Sequence, residues 1–293
     1  MTQTATRRAV AFQGEPGAYS ELAALSFFGP NVKTLPLTAF EDVFKAVQGG
    51  KARFGIIPIE NSLAGSIHQN YDLLLHHHLH IVGEFNLRVE HNLIANPGVT
   101  IRRVRRVFSH PQALMQCQRT LRSLKGVQLV PTYDTAGSVK KIKEEKIFDA
   151  AAVASRRAAE VYGMRVLRQQ IQDDPANFTR FLVLARHKQA IGRADKTSIV
   201  FALSNVPGAL FRSLSVFALR DIDLYKIESR PLHGKPWEYF FYIDFAGSLK
   251  DTNCRNAVNH LSEIATFLKI LGSYQSHRTS PQAGMRSQRV SLG

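Results

Sequence analysis

The chain has 293 residues, more than one hydrophobic core comfortably organises, so two folding units are expected. Its 44% hydrophobic and 21% charged residues are the balance of a globular protein, and no apolar run is long enough to cross a membrane. A formal charge of +15 favours anionic partners, but no recognition motif accompanies it, so neither nucleic acid nor membrane is an expected partner.

The first residues, MTQTATRR, carry no apolar signal core, and a cytoplasmic location is expected. Val10 to Phe12 reads as a strand, Gly14-Glu15-Pro16-Gly17 as a turn, and Ser20 to Phe28 as a helix stopped by Gly29-Pro30. Phe40, Val43, Phe44 and Val47 recur at helical spacing before Gly49-Gly50, and Gly55 to Ile59 is the next strand. Ile81 to Leu87 and His91 to Ala95 are strand-like runs almost end to end, as if one segment passes between two lobes. Arg102, Arg103, Arg105 and Arg106 alternate around Val104 as the solvated entry to a strand at Val107 to Ser109. A helix through Leu114, Cys117, Leu121 and Leu124, a strand at Val127 to Val130 and a helix from Thr135 to Glu145 follow, and Phe181 to Ala185 reads as a buried strand.

A polar stretch from His187 to Lys196 marks a boundary. Beyond it the predicted order is Thr197 to Leu203, helix Gly208 to Leu219, strands Leu224 to Ser229 and Tyr239 to Phe245, helix Arg255 to Phe267 and strand Leu268 to Leu271. That is βαββαβ, a ferredoxin-like order. Leu210, Leu214, Phe217 and Ala218 form one helix stripe and Ala257, Leu261, Ile264, Ala265 and Leu268 the other, both expected on one face of a four-stranded sheet. From Gln275 on, Ser, Arg, Gln, Pro and Gly dominate, and a disordered tail is expected.

In Pro58-Ile59-Glu60-Asn61-Ser62 three polar side chains gather where a strand ends, the place where α/β folds bind ligands; capping of the following helix explains them equally well. The turn Gly14 to Ser20 lacks the lysine and spacing of a nucleotide loop, so a small carboxylate held by helix N–H groups near Tyr19 and Ser20 fits better. Ser109-His110-Pro111-Gln112 and Asp134-Thr135-Ala136-Gly137-Ser138 are similar donor-rich turns for which capping is the plain alternative. Consecutive histidines at 76, 77, 78 and 80 do not converge as metal ligands, and Cys117 and Cys254 suit neither a disulfide nor a zinc site. No metal or cofactor is expected.

PIENSLAGSI, SHPQALMQC and Asn177-Phe178-Thr179-Arg180-Phe181, in that order, resemble the defining motifs of the prephenate dehydratase family, of which arogenate dehydratases are close relatives. Asn205-Val206-Pro207-Gly208-Ala209-Leu210-Phe211 and Lys226-Ile227-Glu228-Ser229-Arg230-Pro231 resemble phenylalanine-binding motifs of a regulatory ACT domain. Ala18 departs from the pattern, where many relatives have Thr.

The resemblance implies an α/β fold in which a two-lobed catalytic domain, similar to a type II periplasmic binding protein, spans about 8–187. Lobe 1 would take about 8–85 and 172–187, lobe 2 about 86–171, with an ACT domain over 196–273 and a tail over 274–293. It implies a cytoplasmic lyase of phenylalanine biosynthesis that converts prephenate, or arogenate, and is restrained by L-phenylalanine in a homodimer or homotetramer. Thr179 would meet the leaving hydroxyl, with Glu60 either its supporting neighbour or a brace for the PIENS turn. Ser20, Asn61, Ser62, Ser109, Gln112, Thr135, Asn177, Arg180 and Phe181 would bind substrate, Arg180 through the side-chain carboxylate and Phe181 from the core beneath. Asn205, Pro207, Gly208, Ala209, Leu210, Glu228, Ser229, Arg230 and Pro231 would hold the effector. A non-catalytic solute-binding protein and an amino-acid-responsive nucleic-acid regulator are the rival readings, separable by product formation and by salt-dependent DNA retention.

Overall fold

Crossovers through short helices let the first strands pair in parallel. In the computed structural model, which describes residues 9–188, 190–232 and 237–277, β1 (Val10–Gln13), α1 (Tyr19–Phe28), β2 (Thr34–Leu37), α2 (Phe40–Gln48) and β3 (Phe54–Asn61) build this unit. The short β4 (Gly65–Ser66), α3 (His68–His76) and β5 (His80–Arg88) follow. The chain then crosses to a second sheet through β6 (Asn92–Ala95), β7 (Arg106–Ser109), α4 (Pro111–Met115), α5 (Gln118–Ser123), β8 (Gln128–Pro131), α6 (Thr135–Glu144), β9 (Ala150–Ala154), α7 (Arg156–Tyr162) and β10 (Arg165–Arg168). It returns as β11 (Phe178–Ala185), which inserts antiparallel between β3 and β5. The sheets run β2-β1-β3-β11-β5 and β10-β6-β9-β7-β8, two α/β lobes joined at β5–β6 and β10–β11.

A third sheet, β13-β14-β12-β15, comes from β12 (Lys196–Ala202), α8 (Ala209–Ala218), β13 (Leu224–Pro231), β14 (Tyr239–Ala246), α9 (Thr252–Ile264) and β15 (Phe267–Tyr274), the ferredoxin-like order. Both helices pack on one face, with Val216, Phe217, Ala257, Val258 and Leu261 against Ile199, Phe201, Ile243 and Phe245. The other face is buried too. Val200, Tyr242, Leu271 and Tyr274 share a core with Ile57, Leu74, Leu182 and Leu184 of the first lobe. β15 approaches β5 so closely that a Cβ on Gly272 would lie 2.1 Å from the Ile81 carbonyl oxygen, so only glycine fits there. Lys269 donates from the same strand to the carbonyls of Leu74, Leu75 and His77 at 2.8–2.9 Å, capping the C-terminal end of α3 with a cation.

Three elements differ from the sequence expectation, and β2 and β9 lay outside it. The helix expected from Leu114 to Leu124 is broken at Gln116–Cys117, because the Gln116 carbonyl accepts from the Asp173 N–H at 2.7 Å and the Asp173 carboxylate takes the Arg119 N–H at the start of α5. The buried stripe of α8 is Ser213, Val216 and Phe217, with Leu210 and Ala218 turned outward. β9, Ala-rich and wholly buried, has no strand-like composition, and Pro36 in β2 is tolerated because β2 is an edge strand. The tail expected to be disordered from Gln275 begins ordered: the Ser276 N–H donates to Asp195 at 2.6 Å and the His277 N–H to Glu84 at 3.0 Å. Residues 278–293 of that tail lie outside the described residues.

Candidate active site

The register of one strand pair brings two distant motifs together. β11 pairs with β3 so that Thr179 lies opposite Asn61 and Arg180 opposite Glu60; Ile59 is then skipped, a bulge that re-aims the strand beside the cleft. Successive residues of a strand face opposite sides. Thr179 and Phe181 therefore face the gap between the lobes, while Arg180 faces the ferredoxin-like sheet.

Backbone donors fix the polar atoms around Thr179. The Asn61 Oδ1 accepts from the N–H groups of Leu63 and Ala64 at 3.1 and 3.0 Å, which can only donate. Its Nδ2 must then donate, sharing two hydrogens among Thr179 Oγ1 at 3.0 Å, Asn177 Oδ1 at 2.8 Å and the Phe178 carbonyl at 3.1 Å. Asn177 Nδ2 donates in turn to Gln116 Oε1 at 2.9 Å, and Gln116 Nε2 lies 3.4 Å from Asn61 Oδ1. Gln116 Oε1 also lies 2.9 Å from Nε2 of His91, whose Nδ1 is 2.8 Å from the Tyr19 hydroxyl. Because Thr179 Oγ1 accepts from Asn61, its own hydrogen is free to point into the cleft.

The cleft is a cavity of about 350 Å³, large enough for a small acid. It is lined from lobe 1 by Tyr19, Ser20, Asn61, Thr179 and Phe181, and from lobe 2 by His110, Gln112, Gln116, Tyr133, Asp134 and Thr135. Neither Lys nor Arg is among its described lining residues. A helix N-terminus faces it instead: α1 opens at Ala18, which offers no side-chain cap, whereas at α6 the Asp134 carboxylate caps the Ala136 N–H. Gly17 sets the approach of the lobes, since a Cβ there would meet the Ala158 backbone at 2.6 Å. Burial lowers the pKa of His91, and of His110 against the opposing pull of Asp134. Burial, then the charge of Glu15, pushes Tyr133 up to about 12. Apart from the Asp134 carboxylate, the described lining thus offers an anion neutral hydrogen-bond donors and neither Lys nor Arg.

On the far side of β3 and β11 lies a different chemistry. Arg180 bonds Glu84 at 2.8 Å, Asp244 at 2.6 Å, Glu60 at 3.4 Å and the Tyr274 hydroxyl at 3.0 Å. Lys196 completes Glu84 at 2.7 Å, and Lys226 pairs with Glu60. Arg180 and Glu60 are thus engaged on the side of the sheet away from this cleft, where they line a separate cavity of about 470 Å³, whereas the expectation set Arg180 on substrate and Glu60 either beside Thr179 or as a brace for its turn. Ser62 donates to the Ala176 carbonyl and accepts from the Phe178 N–H, clamping the strand ends; Ser109 is buried and donates to the Val153 carbonyl. Asn177 is fully buried behind Asn61, and Phe181 is the floor. Ser20, Asn61, Gln112, Thr135 and Thr179 do converge on the cleft.

The residues expected to bind an effector divide. Asn205, Gly208, Ala209 and Leu210 line a cavity of about 220 Å³ with Trp237, Tyr239 and Phe241. Pro207, Ser229 and Pro231 are exposed. Glu228 and Arg230, on alternate positions of β13, face lobe 1: Glu228 accepts from Ser66 at 2.6 Å and Arg230 pairs with Asp72 at 2.9 Å. Sequence reasoning missed His91 and Gln116. Gln116 stands in the quoted SHPQALMQC motif but was placed inside a continuous helix; His91 had no signal beyond its place at the crossing. The histidines at the end of α3 diverge, His76 to the Asp72 carbonyl and His77 to Gln48.

A two-lobed α/β cleft of the periplasmic-binding type, with a hydroxyl beside a cavity whose described lining holds neither Lys nor Arg and a ferredoxin-like sheet docked behind it, is the frame of a small-ligand-binding enzyme with an appended ferredoxin-like unit. The prephenate dehydratase family profile matches residues 10–189, and the chain belongs to that family. It is 52% identical to arogenate dehydratase/prephenate dehydratase 2, chloroplastic, of Arabidopsis thaliana over 92% of this chain and 73% of the relative. It is 49% identical to arogenate dehydratase 2 of Petunia hybrida over 94% and 74%. Among solved structures it resembles the prephenate dehydratase of Arthrobacter aurescens in complex with L-Phe, with TM-score 0.84, 30% identity and coverage of 93% of each chain. It also resembles GqqA, described as a quorum quenching acylase, with TM-score 0.85, 35% identity and coverage of 92% and 98%. The chain is therefore a decarboxylating dehydratase, a lyase of aromatic amino-acid biosynthesis.

Proposed function

We propose that the cleft expels the ring hydroxyl and ring carboxylate of prephenate or arogenate, and that L-phenylalanine bound to the ferredoxin-like unit restrains the reaction. The observation that carries this reading is the free Thr179 hydrogen beside a cation-free cavity. As the bond to the carboxylate breaks, its electron pair enters the ring, the C–O bond breaks, and the ring becomes aromatic. Carbon dioxide leaves, and hydroxide takes a proton from solvent to become water. Thr179 is too weak an acid to be the proton source, so it acts by donating a hydrogen bond to the departing oxygen, where charge grows only in the transition state. A cation on the ring carboxylate would stabilise the ground state and slow its loss; the N-terminus of α1 and neutral donors hold it without that penalty.

An acylase reading is disfavoured by the same geometry, because the partner of Thr179 is an amide, which cannot take the proton of a nucleophile. Restraint by phenylalanine is supported by continuity: the cavity at Gly208 and the strand bearing Lys226, Glu228 and Arg230 belong to one sheet, and that strand grips β3, β4 and α3. The test is product formation from prephenate and from arogenate, each with and without phenylalanine. Release of phenylpyruvate or phenylalanine, suppressed by added phenylalanine, is expected; no aromatic product from either substrate would refute the reading.

A further inference from the structure

We infer that His91 is a positioning residue for the dehydration, holding the Asn61–Thr179 pair in place through Gln116 and Asn177; this rests on Thr179 acting as the hydrogen-bond donor. His91 is 2% exposed in the cleft wall, directly after the crossing strand β5. Its backbone is held on both sides, the N–H by Gln172 at 3.0 Å and the carbonyl by the Ile171 N–H at 2.8 Å, so the ring is delivered from a fixed point. One ring nitrogen meets Tyr19 of lobe 1 and the other meets Gln116 of lobe 2. The ring also stands edge-on to Tyr19, with centroids 5.4 Å apart.

The tautomer of this imidazole is dictated by the amides. Leu63 and Ala64 fix the Asn61 amide, Asn61 fixes Asn177, and Asn177 fixes Gln116 with its oxygen toward His91. Nε2 must therefore carry hydrogen, which leaves Nδ1 of the neutral ring an acceptor that shares the one Tyr19 hydroxyl hydrogen with the Glu90 carbonyl, each 2.8 Å from the phenol oxygen. With Gln116 Oε1 taken by His91 and Asn177, the Gln116 Nε2 is left to face Asn61 Oδ1. Remove the His91 donor and Gln116 can turn over. Leu63 and Ala64 still fix which way the Asn61 amide faces, but Asn177 loses its set acceptor and can shift, so the Asn61 Nδ2 that it shares with Thr179 Oγ1 is no longer held in place. Since Tyr19 and Gln116 belong to different lobes, the hydroxyl is correctly aimed only when the lobes hold this spacing.

Glutamine can place an amide N–H where Nε2 stood, whereas asparagine reaches only the Nδ1 position. The experiment measures kcat and KM for His91→Gln, His91→Asn and Thr179→Ala on the full chain, with melting temperatures beside them. We expect His91→Asn to lose kcat on the order of 100-fold, the scale of a misplaced catalytic group, with KM little changed. His91→Gln should recover most of that rate. Equal losses in the Gln and Asn variants, or a loss confined to KM, would overturn the inference; a Thr179→Ala variant that keeps its rate would instead refute the underlying reading. Nitrogen-15 NMR of histidine-labelled wild-type protein, with His91 assigned by its disappearance in His91→Gln, needs no active variant. Protonated Nε2 with unprotonated Nδ1 is expected, and the opposite tautomer would overturn the inference.

Discussion

Replacing Arg180 with Met tests whether this side chain is a substrate ligand or a tie between domains. The substitution keeps most of the side-chain volume but removes the cation that faces Glu84, Asp244 and Glu60. The Glu84 side chain is 1% exposed and that of Asp244 12%, so both carboxylates stay out of water; Lys196 still serves one oxygen of Glu84, while Asp244 keeps only the Ser198 hydroxyl and its neighbours. Breaking one side of such a buried pair costs about 3–5 kcal/mol. At roughly 2–4 °C per kcal/mol for a chain of this size class, the melting temperature should fall by about 6–20 °C. Differential scanning calorimetry of parent and variant, with KM for substrate measured well below the melting range, decides the matter. A large fall in melting temperature with KM preserved is expected. An unchanged melting temperature with a raised KM would refute the argument and return Arg180 to the substrate's side-chain carboxylate.

Asp134 is the only carboxylate among the described residues lining the cleft, so Asp134→Asn, which preserves the α6 cap, should lower kcat/KM for arogenate, whose ammonium it can meet, more than for prephenate; equal effects in a paired assay would contradict this. His77, His80, His91, His110 and His277 all have lowered pKa, with burial the leading cause, so in acid the unfolded chain binds protons that the folded chain does not. Their contribution is intact above an ordinary histidine pKa of about 6.5 and is lost as pH falls toward the lowered folded values, so the melting temperature should drop between pH 7.5 and 5.5; a flat profile would count against it. Gly208 sits at φ +75° with open space around it, so Gly208→Val fails by backbone strain rather than by collision and should abolish phenylalanine inhibition, read as the loss of response in the rate assay. Lys226→Met, which cuts the contact of β13 with Glu60, should weaken that inhibition with phenylalanine binding by calorimetry retained; unchanged inhibition would exclude this contact from the coupling.

The lobes and the ferredoxin-like order were legible because periodicity and turn residues mark them: Phe40 to Val47 and the stripe of α9 read directly as buried faces. β9 was not, since AAAVA has no β-preference of its own and is a strand only because neighbours enclose it on both sides. The motifs supplied Thr179, Asn61 and Gln112, but motif membership does not say on which face of a strand a side chain falls. Strand alternation and the bulge at Ile59 divided Thr179 from Arg180 and Asn61 from Glu60, and that depends on pairing between segments more than a hundred residues apart. His91 needed three dimensions, because its partners at positions 19 and 116 meet it only after the lobes assemble.

The central claim is that a hydrogen bond donated by Thr179 drives the loss of hydroxide, and it is met most directly by comparing kcat in Thr179→Ser and Thr179→Ala with the parent. Serine keeps the donor and should retain most of the rate, while alanine should lose on the order of 100- to 10,000-fold with the melting temperature held. An alanine variant as fast as the parent, or a serine variant as slow as alanine, would contradict the account.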